Sequence, residues 1–184
     1  MKIEDASKHR FMSMDNILVD TNFWLLTYNV FASRNDRHYS ELLDHIFSSR
    51  LYVTDLIVSE FIHSSLKIAF KNYQKEHDPK NIKNIKYKKD YQNTDDFKRQ
   101  YEIATKTMQD EILNPRNNIE LIETKKEDLN KAFEYPRKML DFNDRVIVQT
   151  ALSNHFLLLT DDADYKNCDA NITILTKNKN LLNY

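Results

Sequence analysis

Short apolar segments alternate along the chain with segments that carry apolar residues at helical spacing. The apolar segments cover residues 16–20, 51–53, 119–122, 156–160 and 172–175. Helical patterns occupy residues 36–48, 55–66 and 141–152, and each begins near Asp or Thr, which favour helix N-termini. Strands that alternate with helices predict an α/β fold of three layers, in which helices flank a central parallel sheet.

The length of 184 residues fits a single domain over residues 1–184. Residues 1–15 are polar, and we expect them to be loosely held. Residues 71–115 differ in composition, because nine Lys and Arg against five Asp and Glu lie between positions 71 and 99. Pro79 and repeated Asn-Ile-Lys predict a loop or broken helix there, before a helix over residues 94–113. We therefore predict that residues 71–115 form a basic, helical insertion within the domain.

The composition excludes several classes of site. The chain has no glycine, which the phosphate-binding loops of Walker and dinucleotide-binding proteins and the serine elbow of many hydrolases require. Tight turns must instead use Asn or Asp. A single cysteine, Cys168, excludes an internal disulfide or a multi-cysteine zinc site. The start of the chain lacks an apolar signal region, and no apolar run is long enough to span a bilayer, so we expect a cytoplasmic protein without a membrane partner.

Carboxylates follow the apolar segments where the carboxyl ends of parallel strands would meet. Asp20 follows one segment and Asp162 follows another, while Asp144 opens a helix and Glu60 lies in the helix after a third segment. Active sites of open parallel sheets collect at this edge. Converging carboxylates repel each other, and Mg²⁺ or Mn²⁺, which prefer oxygen ligands, would remove that penalty. The pattern therefore predicts a site for Mg²⁺ or Mn²⁺ that activates water against a phosphodiester.

Each of these acids also has an ordinary structural role that would account for it alone. Those roles are an N-cap at Asp20, a half-exposed helical position at Glu60, a helix-dipole partner at Asp144 and an Asx-type turn at Asp162 and Asp164. Asp141 competes with Asp144 by proximity, and Asp144 is preferred because the apolar residues that follow it then fall at helical offsets. The separate roles do not explain why the acids occur in this order at strand and helix ends.

The order of these motifs resembles that of the PIN-domain ribonuclease family, many of whose small bacterial members are VapC-type toxins. The matching motifs are Asp20-Thr21-Asn22 after an apolar run, Glu60, Asp144 at a helix start, and Thr160-Asp161-Asp162-Ala163-Asp164-Tyr165. The resemblance covers nearly the whole chain except residues 71–115, and the chain departs from the small members in the long, basic stretch between Glu60 and Asp144.

The resemblance implies a Mg²⁺- or Mn²⁺-dependent endonuclease that cuts single-stranded RNA and leaves a 5′-phosphate and a 3′-hydroxyl. It implies that the metal ligands and catalytic acids are Asp20, Glu60, Asp144 and Asp162. Asp164 would assist through water, and Thr21, Asn22 and Thr160 would orient the acids or the scissile phosphate. An RNA substrate, a homodimer and an antitoxin that occupies the acidic cleft are the partners it implies.

The basic stretch offers a candidate RNA contact, because Lys and Arg bind phosphates while aromatic rings stack under bases. The lysines concerned are Lys83, Lys86, Lys88 and Lys89, and the interleaved aromatics are Tyr73, Tyr87, Tyr91, Phe97 and Tyr101. The alternative is a solvated helical pair whose aromatic residues pack inward. His63, one turn after Glu60, is either a phosphate contact or an ordinary surface histidine.

The sequence is compatible with two other functions. One is a PIN-like module that binds RNA or a protein partner without cutting, although such a module has no need of all four acids. The other is a phosphohydrolase with Asp20 as nucleophile. Such enzymes usually carry Asp-x-Asp, and Asn22 occupies the second acidic place here.

Overall fold

A computed structural model describes residues 1–28, 38–80, 84–134 and 140–184. Its centre is a six-stranded sheet in the order β1-β6-β5-β2-β3-β4, and every neighbouring pair of strands is parallel. The strands are β1 (Lys2–Asp5), β2 (Asn16–Val19), β3 (Arg50–Thr54), β4 (Ile119–Ile122), β5 (Leu157–Leu159) and β6 (Thr173–Thr176). The expected α/β fold with a central parallel sheet and flanking helices is confirmed.

Seven α-helices connect and follow the strands in the described residues. They are α1 (Thr21–Tyr28), α2 (His38–Ile46), α3 (Asp55–His77), α4 (Asp95–Lys106), α5 (Lys126–Glu134), α6 (Phe142–Ser153) and α7 (Lys179–Leu182). Thr54 caps α3 by accepting a hydrogen bond from the backbone N–H of Ile57 at 3.2 Å, as the sequence predicts. No helix within the described ranges is both long and apolar enough to cross a bilayer.

Strands β2 and β5 lie side by side at the centre of the sheet and form the middle of the core. Ile17 pairs with Leu157 and Val19 pairs with Leu159, so the two strands end at the same level. Ile17, Leu18 and Val19 are fully buried. Because all strands run in the same direction, the residues that follow β2, β3, β5 and β6 meet at one edge of the sheet, which we call the carboxyl edge.

The N-terminal segment is more ordered than its sequence predicts. Residues 2–5 form the edge strand β1, which pairs with β6 from Lys2 opposite Thr173 to Asp5 opposite Thr176. The pattern Lys-Ile-Glu-Asp carries one apolar residue, because an edge strand is held by its backbone hydrogen bonds and needs little apolar surface. The expectation of a loosely held start is therefore wrong for this strand.

Helix α3 is longer than the sequence predicts, since it continues through position 71 to His77. It ends just before Pro79, and the residue before a proline is disfavoured in the helical conformation. Residues Asp95–Lys106 form α4 and Thr107–Ile112 continue it as a π-helix, which together match the helix expected over residues 94–113. Tight turns use Asn118 and His155, whose φ angles are 51° and 57°, so one of the two is not the Asn or Asp expected without glycine.

Aromatic residues of the 71–115 segment pack mainly against each other. Tyr91 is fully buried, and its ring lies 4.9 Å from that of Tyr73 and 5.6 Å from that of Phe97. Tyr87 joins the same cluster, while Tyr101 keeps 49% of its surface exposed. The structure therefore agrees with the alternative in which these aromatics pack inward. Of the five, Tyr101 presents the most ring surface to a base.

Candidate active site

Asp20 is a buried carboxylate at the end of β2, with 2% of its surface exposed. Its Oδ1 accepts a hydrogen bond from the backbone N–H of Thr21 at 2.7 Å, and its Oδ2 accepts one from the Thr160 hydroxyl at 2.6 Å. Burial raises the pKa of Asp20 to about 7, and the charges of Glu60 and Asp162 act in the same direction. The two hydrogen bonds oppose this rise, because they stabilise the ionised form.

Asp162 lies just beyond β5, the strand next to β2. The Thr160 hydroxyl that donates to Asp20 also accepts the backbone N–H of Asp162 at 3.0 Å. The Asp162 carboxylate accepts the Asn22 side-chain amide at 2.9 Å and the backbone N–H of Asp164 at 2.8 Å. Thr160 and Asn22 therefore connect the ends of β2 and β5 through hydrogen bonds to both acids.

Glu60 reaches the site from helix α3 and is half-buried. Its Oε2 accepts the Thr21 hydroxyl at 3.0 Å, and its Oε1 accepts the side-chain amide of Asn143 at 2.5 Å. These two contacts link α3 to the start of α1 and to the first turn of α6. The contact of Asn143 with Glu60 is not foreseen from the sequence.

Asp144 completes the group from the first turn of α6. The pKa of Asp144 is raised to about 8, mainly by burial. Smaller rises come from the charges of Asp141, Asp20, Asp162 and Glu60, in decreasing order. Asp141 is exposed and accepts the backbone N–H of Asp144 at 3.1 Å, so Asp141 is the N-cap of α6 and Asp144 is the acid that faces the site. The carboxylate of Asp144 accepts no hydrogen bond from the residues that the structure describes, in contrast to Asp20, Glu60 and Asp162.

Tyr165 is a further member of the site that sequence reasoning assigns no role. It is fully buried, and its hydroxyl has no hydrogen-bond partner among the residues that the structure describes. Burial raises its pKa well above the ordinary value, and the charges of all four acids act in the same direction. The charges of Glu60 and Asp162 act on Asp20, Asp144 and Tyr165 alike, so the acids lie within electrostatic range of each other. The aromatic position of the Thr160–Tyr165 motif is the only sequence signal for it.

The other residues predicted for the site lie at its rim or apart from it. Asp164 is exposed, and its described contact with the acids is the backbone N–H that Asp162 accepts. His63 is exposed on α3. Lys86, Lys88 and Lys89 are exposed near the π-helical turn Tyr87–Tyr91, while Lys83 lies outside the described residues. The structure thus brings together Asp20, Glu60, Asp144 and Asp162, with Thr21, Asn22 and Thr160 between them.

The donor set of this site consists of carboxylate and hydroxyl oxygens, which suit hard divalent cations such as Mg²⁺ and Mn²⁺. Burial raises the pKa values of Asp20 and Asp144, and the charges of the neighbouring carboxylates, which a divalent cation would offset, add to the rise. Nevertheless, no three His, Cys, Asp or Glu side chains within the described ranges already converge tightly enough to hold an ion. The chemistry of the residues fits a divalent metal, and the carboxylates would have to draw closer to bind it.

The sequence was compared with models of protein families. The sequence profile of the PIN domain matches residues 17–171. This range includes both ends of the acidic site, from the strand before Asp20 to the segment after Asp162. The chain belongs to the PIN domain family.

Two solved structures share the fold. One is VapBC2 from Rickettsia felis bound to a DNA fragment from its promoter, with 11% identity, a TM-score of 0.54, and coverage of 88% of this chain and 98% of that chain. The other is VapC20 of Mycobacterium tuberculosis, a toxin that cleaves the sarcin–ricin loop, with 12% identity, a TM-score of 0.50, and coverage of 83% and 95%. At such identities the likeness concerns the fold. No curated protein matches the sequence.

Proposed function

We propose that this protein is a metal-dependent endoribonuclease that hydrolyses phosphodiester bonds of RNA. The observation that carries the proposal is the meeting of four carboxylates from four separate elements at the carboxyl edge of a PIN-domain sheet. Two of them have pKa values raised by burial to about 7 and about 8. Carboxylates that only cap helices or form turns have no reason to meet at one edge of a sheet. Carboxylates with perturbed pKa values in a cleft are typical of functional sites.

Asp20, Glu60, Asp144 and Asp162 would hold Mg²⁺ or Mn²⁺. When bound, such an ion activates water and stabilises the leaving oxygen of a phosphodiester. Asp144, whose carboxylate accepts no hydrogen bond from the described residues, is the acid most free to turn towards a cation, and a bound cation would favour its ionised form. Asp20 is held by Thr21 and Thr160, so it would fix the position of the ion.

The polar residues between the acids would position them. Thr21 and Asn143 hold the two oxygens of Glu60, and Asn22 holds one oxygen of Asp162. Each of these oxygens retains a second lone pair for a cation, since a carboxylate oxygen can accept two interactions. Asp164, at the rim, would contribute through water.

The test is RNA cleavage by the full chain with Mn²⁺, compared between wild type, Asp20→Asn and Asp169→Asn. Asp169 is an exposed aspartate, so its amide variant is a matched control. We expect metal-dependent cleavage that is lost in Asp20→Asn and kept in Asp169→Asn. Equal cleavage by all three proteins would refute the proposed mechanism.

A second candidate function is a PIN-like module that binds RNA or a protein without cutting. The observation that favours it is the absence, within the described residues, of three acids already grouped around one point. Binding of RNA by wild type without any Mn²⁺- or Mg²⁺-dependent cleavage would support this candidate over the nuclease.

The proposal further includes that the protein acts as a toxin in the cytoplasm, that an antitoxin binds it, and that it forms a homodimer. Its support is the likeness in fold to VapBC2 of R. felis and to VapC20 of M. tuberculosis. Growth arrest on expression, relieved by Asp20→Asn or by co-expression of a neighbouring small gene, would test the toxin and antitoxin roles. Light scattering of the purified chain would test the dimer.

A further inference from the structure

A cavity lies at the carboxyl edge, between the residues that follow β1 and helix α2. Its volume is about 540 Å³, within the range of pockets that bind small ligands. The side chains that give it chemical character are Arg10, Phe11, Glu41, Asp44, His45 and Lys177. We call this cavity the β1–α2 pocket.

The β1–α2 pocket and the acidic site open at the same edge of the sheet. Ala6 follows β1 and Lys177 follows β6, and both line the pocket. In the strand order β1-β6-β5-β2, β1 is two strands away from β5, which is roughly 10 Å at the usual spacing of strands. A short stretch of single-stranded RNA that runs along this edge would pass both places.

A chain of contacts connects the two places. The Nζ of Lys177 lies 5.7 Å from the centre of the Tyr39 ring. The Tyr39 hydroxyl donates a hydrogen bond to Asp161, the neighbour of Asp162. The pocket is therefore attached to the segment after β5 that also carries an acid of the site.

Much of the β1–α2 pocket lies outside the part of the chain that matches the family. The PIN profile covers residues 17–171, whereas Arg10, Phe11 and Lys177 lie before or after that range. Strand β1, which places Arg10 and Phe11 here, is also outside it. The pocket therefore lies largely outside the matched range.

The side chains of the pocket suit the separate parts of one nucleotide. Arg10 is exposed and forms no ion pair with the residues that the structure describes, so its guanidinium is available to a phosphate. Glu41 and Asp44 are exposed carboxylates, which accept hydrogen bonds from the amino groups of bases. Phe11, half-exposed beside the His9 ring, offers an aromatic face for stacking.

We infer that the β1–α2 pocket binds one nucleotide of the RNA substrate, next to the segment cut at the acidic site. This inference rests on the proposed nuclease function. Arg10 and Lys177 hold the phosphate, and Glu41 or Asp44 selects a base with an exocyclic amino group. Uracil has no such group, so the pocket disfavours uridine relative to adenosine, cytidine and guanosine.

Direct binding provides the first test. Calorimetry of the full chain with each 5′-mononucleotide, in the presence of EDTA, reports on the pocket without a contribution from metal at the acidic site. We expect binding that is weakest for uridine monophosphate and at least about tenfold weaker in Arg10→Ala, because a charge-assisted hydrogen bond is lost. Lys8→Ala is the matched control, since Lys8 is exposed, pairs with Asp5 and does not line the pocket.

Kinetics separate this inference from the proposed function. In RNA cleavage, Arg10→Ala should raise KM about tenfold and leave kcat unchanged, because the pocket binds substrate and transition state equally. Cleavage with an unchanged KM in Arg10→Ala would overturn the nucleotide subsite while the nuclease stands. Mononucleotide binding without any RNA cleavage would reject the nuclease and keep the pocket. Failure of all four mononucleotides to bind wild type would overturn the inference and point to a protein partner instead.

Discussion

The Thr160 hydroxyl donates a 2.6 Å hydrogen bond to Asp20 and accepts a 3.0 Å hydrogen bond from the backbone N–H of Asp162. One buried side chain at the end of β5 thereby fixes two acids that follow neighbouring strands. Asp20 is buried from water, so the hydroxyl replaces solvent as a donor to its carboxylate. The energy of this arrangement depends on the hydroxyl and not on the shape of the side chain.

Replacement of Thr160 by valine, which has nearly the same shape, should destabilise the protein. The change leaves an oxygen of Asp20 and the N–H of Asp162 without their partner, which costs about 1–3 kcal/mol in unfolding free energy. Urea unfolding would measure the loss. Thr105→Val is the control, because the Thr105 hydroxyl bonds to backbone carbonyls on the exposed side of α4. A Thr160 variant as stable as the control would contradict this expectation.

The stability of the metal-free protein should fall as the pH rises from about 5 to about 8. The folded-state pKa values of Asp20 and Asp144 are raised to about 7 and about 8, whereas an unfolded aspartate titrates near pH 4. Between these values the folded state binds more protons than the unfolded state, so the free energy of unfolding decreases with pH. Urea unfolding in EDTA at pH 5 and pH 8 would check the sign.

Asp144→Asn isolates this effect, because the amide does not ionise. The variant should be more stable than wild type at pH 8 and should lose less stability between pH 5 and pH 8, whereas Asp169→Asn should follow wild type. The expectation would be contradicted if wild type were less stable at pH 5 than at pH 8 and Asp144→Asn showed the same pH dependence. Burial would then not raise the pKa values of these acids.

Divalent metal should reverse the loss at pH 8. An ion that binds only the folded state stabilises it by ligand linkage, by about 2.7 kcal/mol when its concentration is a hundred times the dissociation constant. We therefore expect millimolar Mn²⁺ to raise the melting temperature of wild type and of Asp169→Asn, and to leave Asp144→Asn nearly unchanged. Differential scanning fluorimetry would measure the shift. No shift in wild type would count against a metal site among the acids.

The grouping of the four acids can be predicted from the sequence because its signals are local, while their catalytic role stays a prediction. Asp20 and Asp162 each follow a run of buried apolar residues, and parallel strands bring such positions to one edge. Thr21 and Asn22 are adjacent to Asp20 in sequence, so their participation follows from the same motif. The helical offset that favours Asp144 over Asp141 is likewise local, and the structure assigns the cap to Asp141.

The features that the sequence does not predict depend on contacts between distant segments. Strand β1 has one apolar residue and is defined by its backbone pairing with β6, about 170 positions away. Asn143 contacts Glu60 across 83 positions, and no local pattern indicates that its amide faces a carboxylate. The inward packing of Tyr91 and Phe97 is also tertiary, because aromatics in a basic stretch suit a core as well as an RNA surface.

Tyr165→Phe should stabilise the protein by about 1 kcal/mol at neutral pH. Within the described part of the chain, the buried Tyr165 hydroxyl has no partner and lies within range of four carboxylate charges, and an unsatisfied buried polar group carries a desolvation cost that phenylalanine avoids. Tyr91→Phe is the matched control, because the equally buried Tyr91 donates to Asp96 at 3.0 Å and should lose stability. Urea unfolding of both variants would measure the opposite signs. A Tyr165 variant destabilised as much as the Tyr91 variant would mean that the hydroxyl has a partner in solution, such as a water molecule held by the acids.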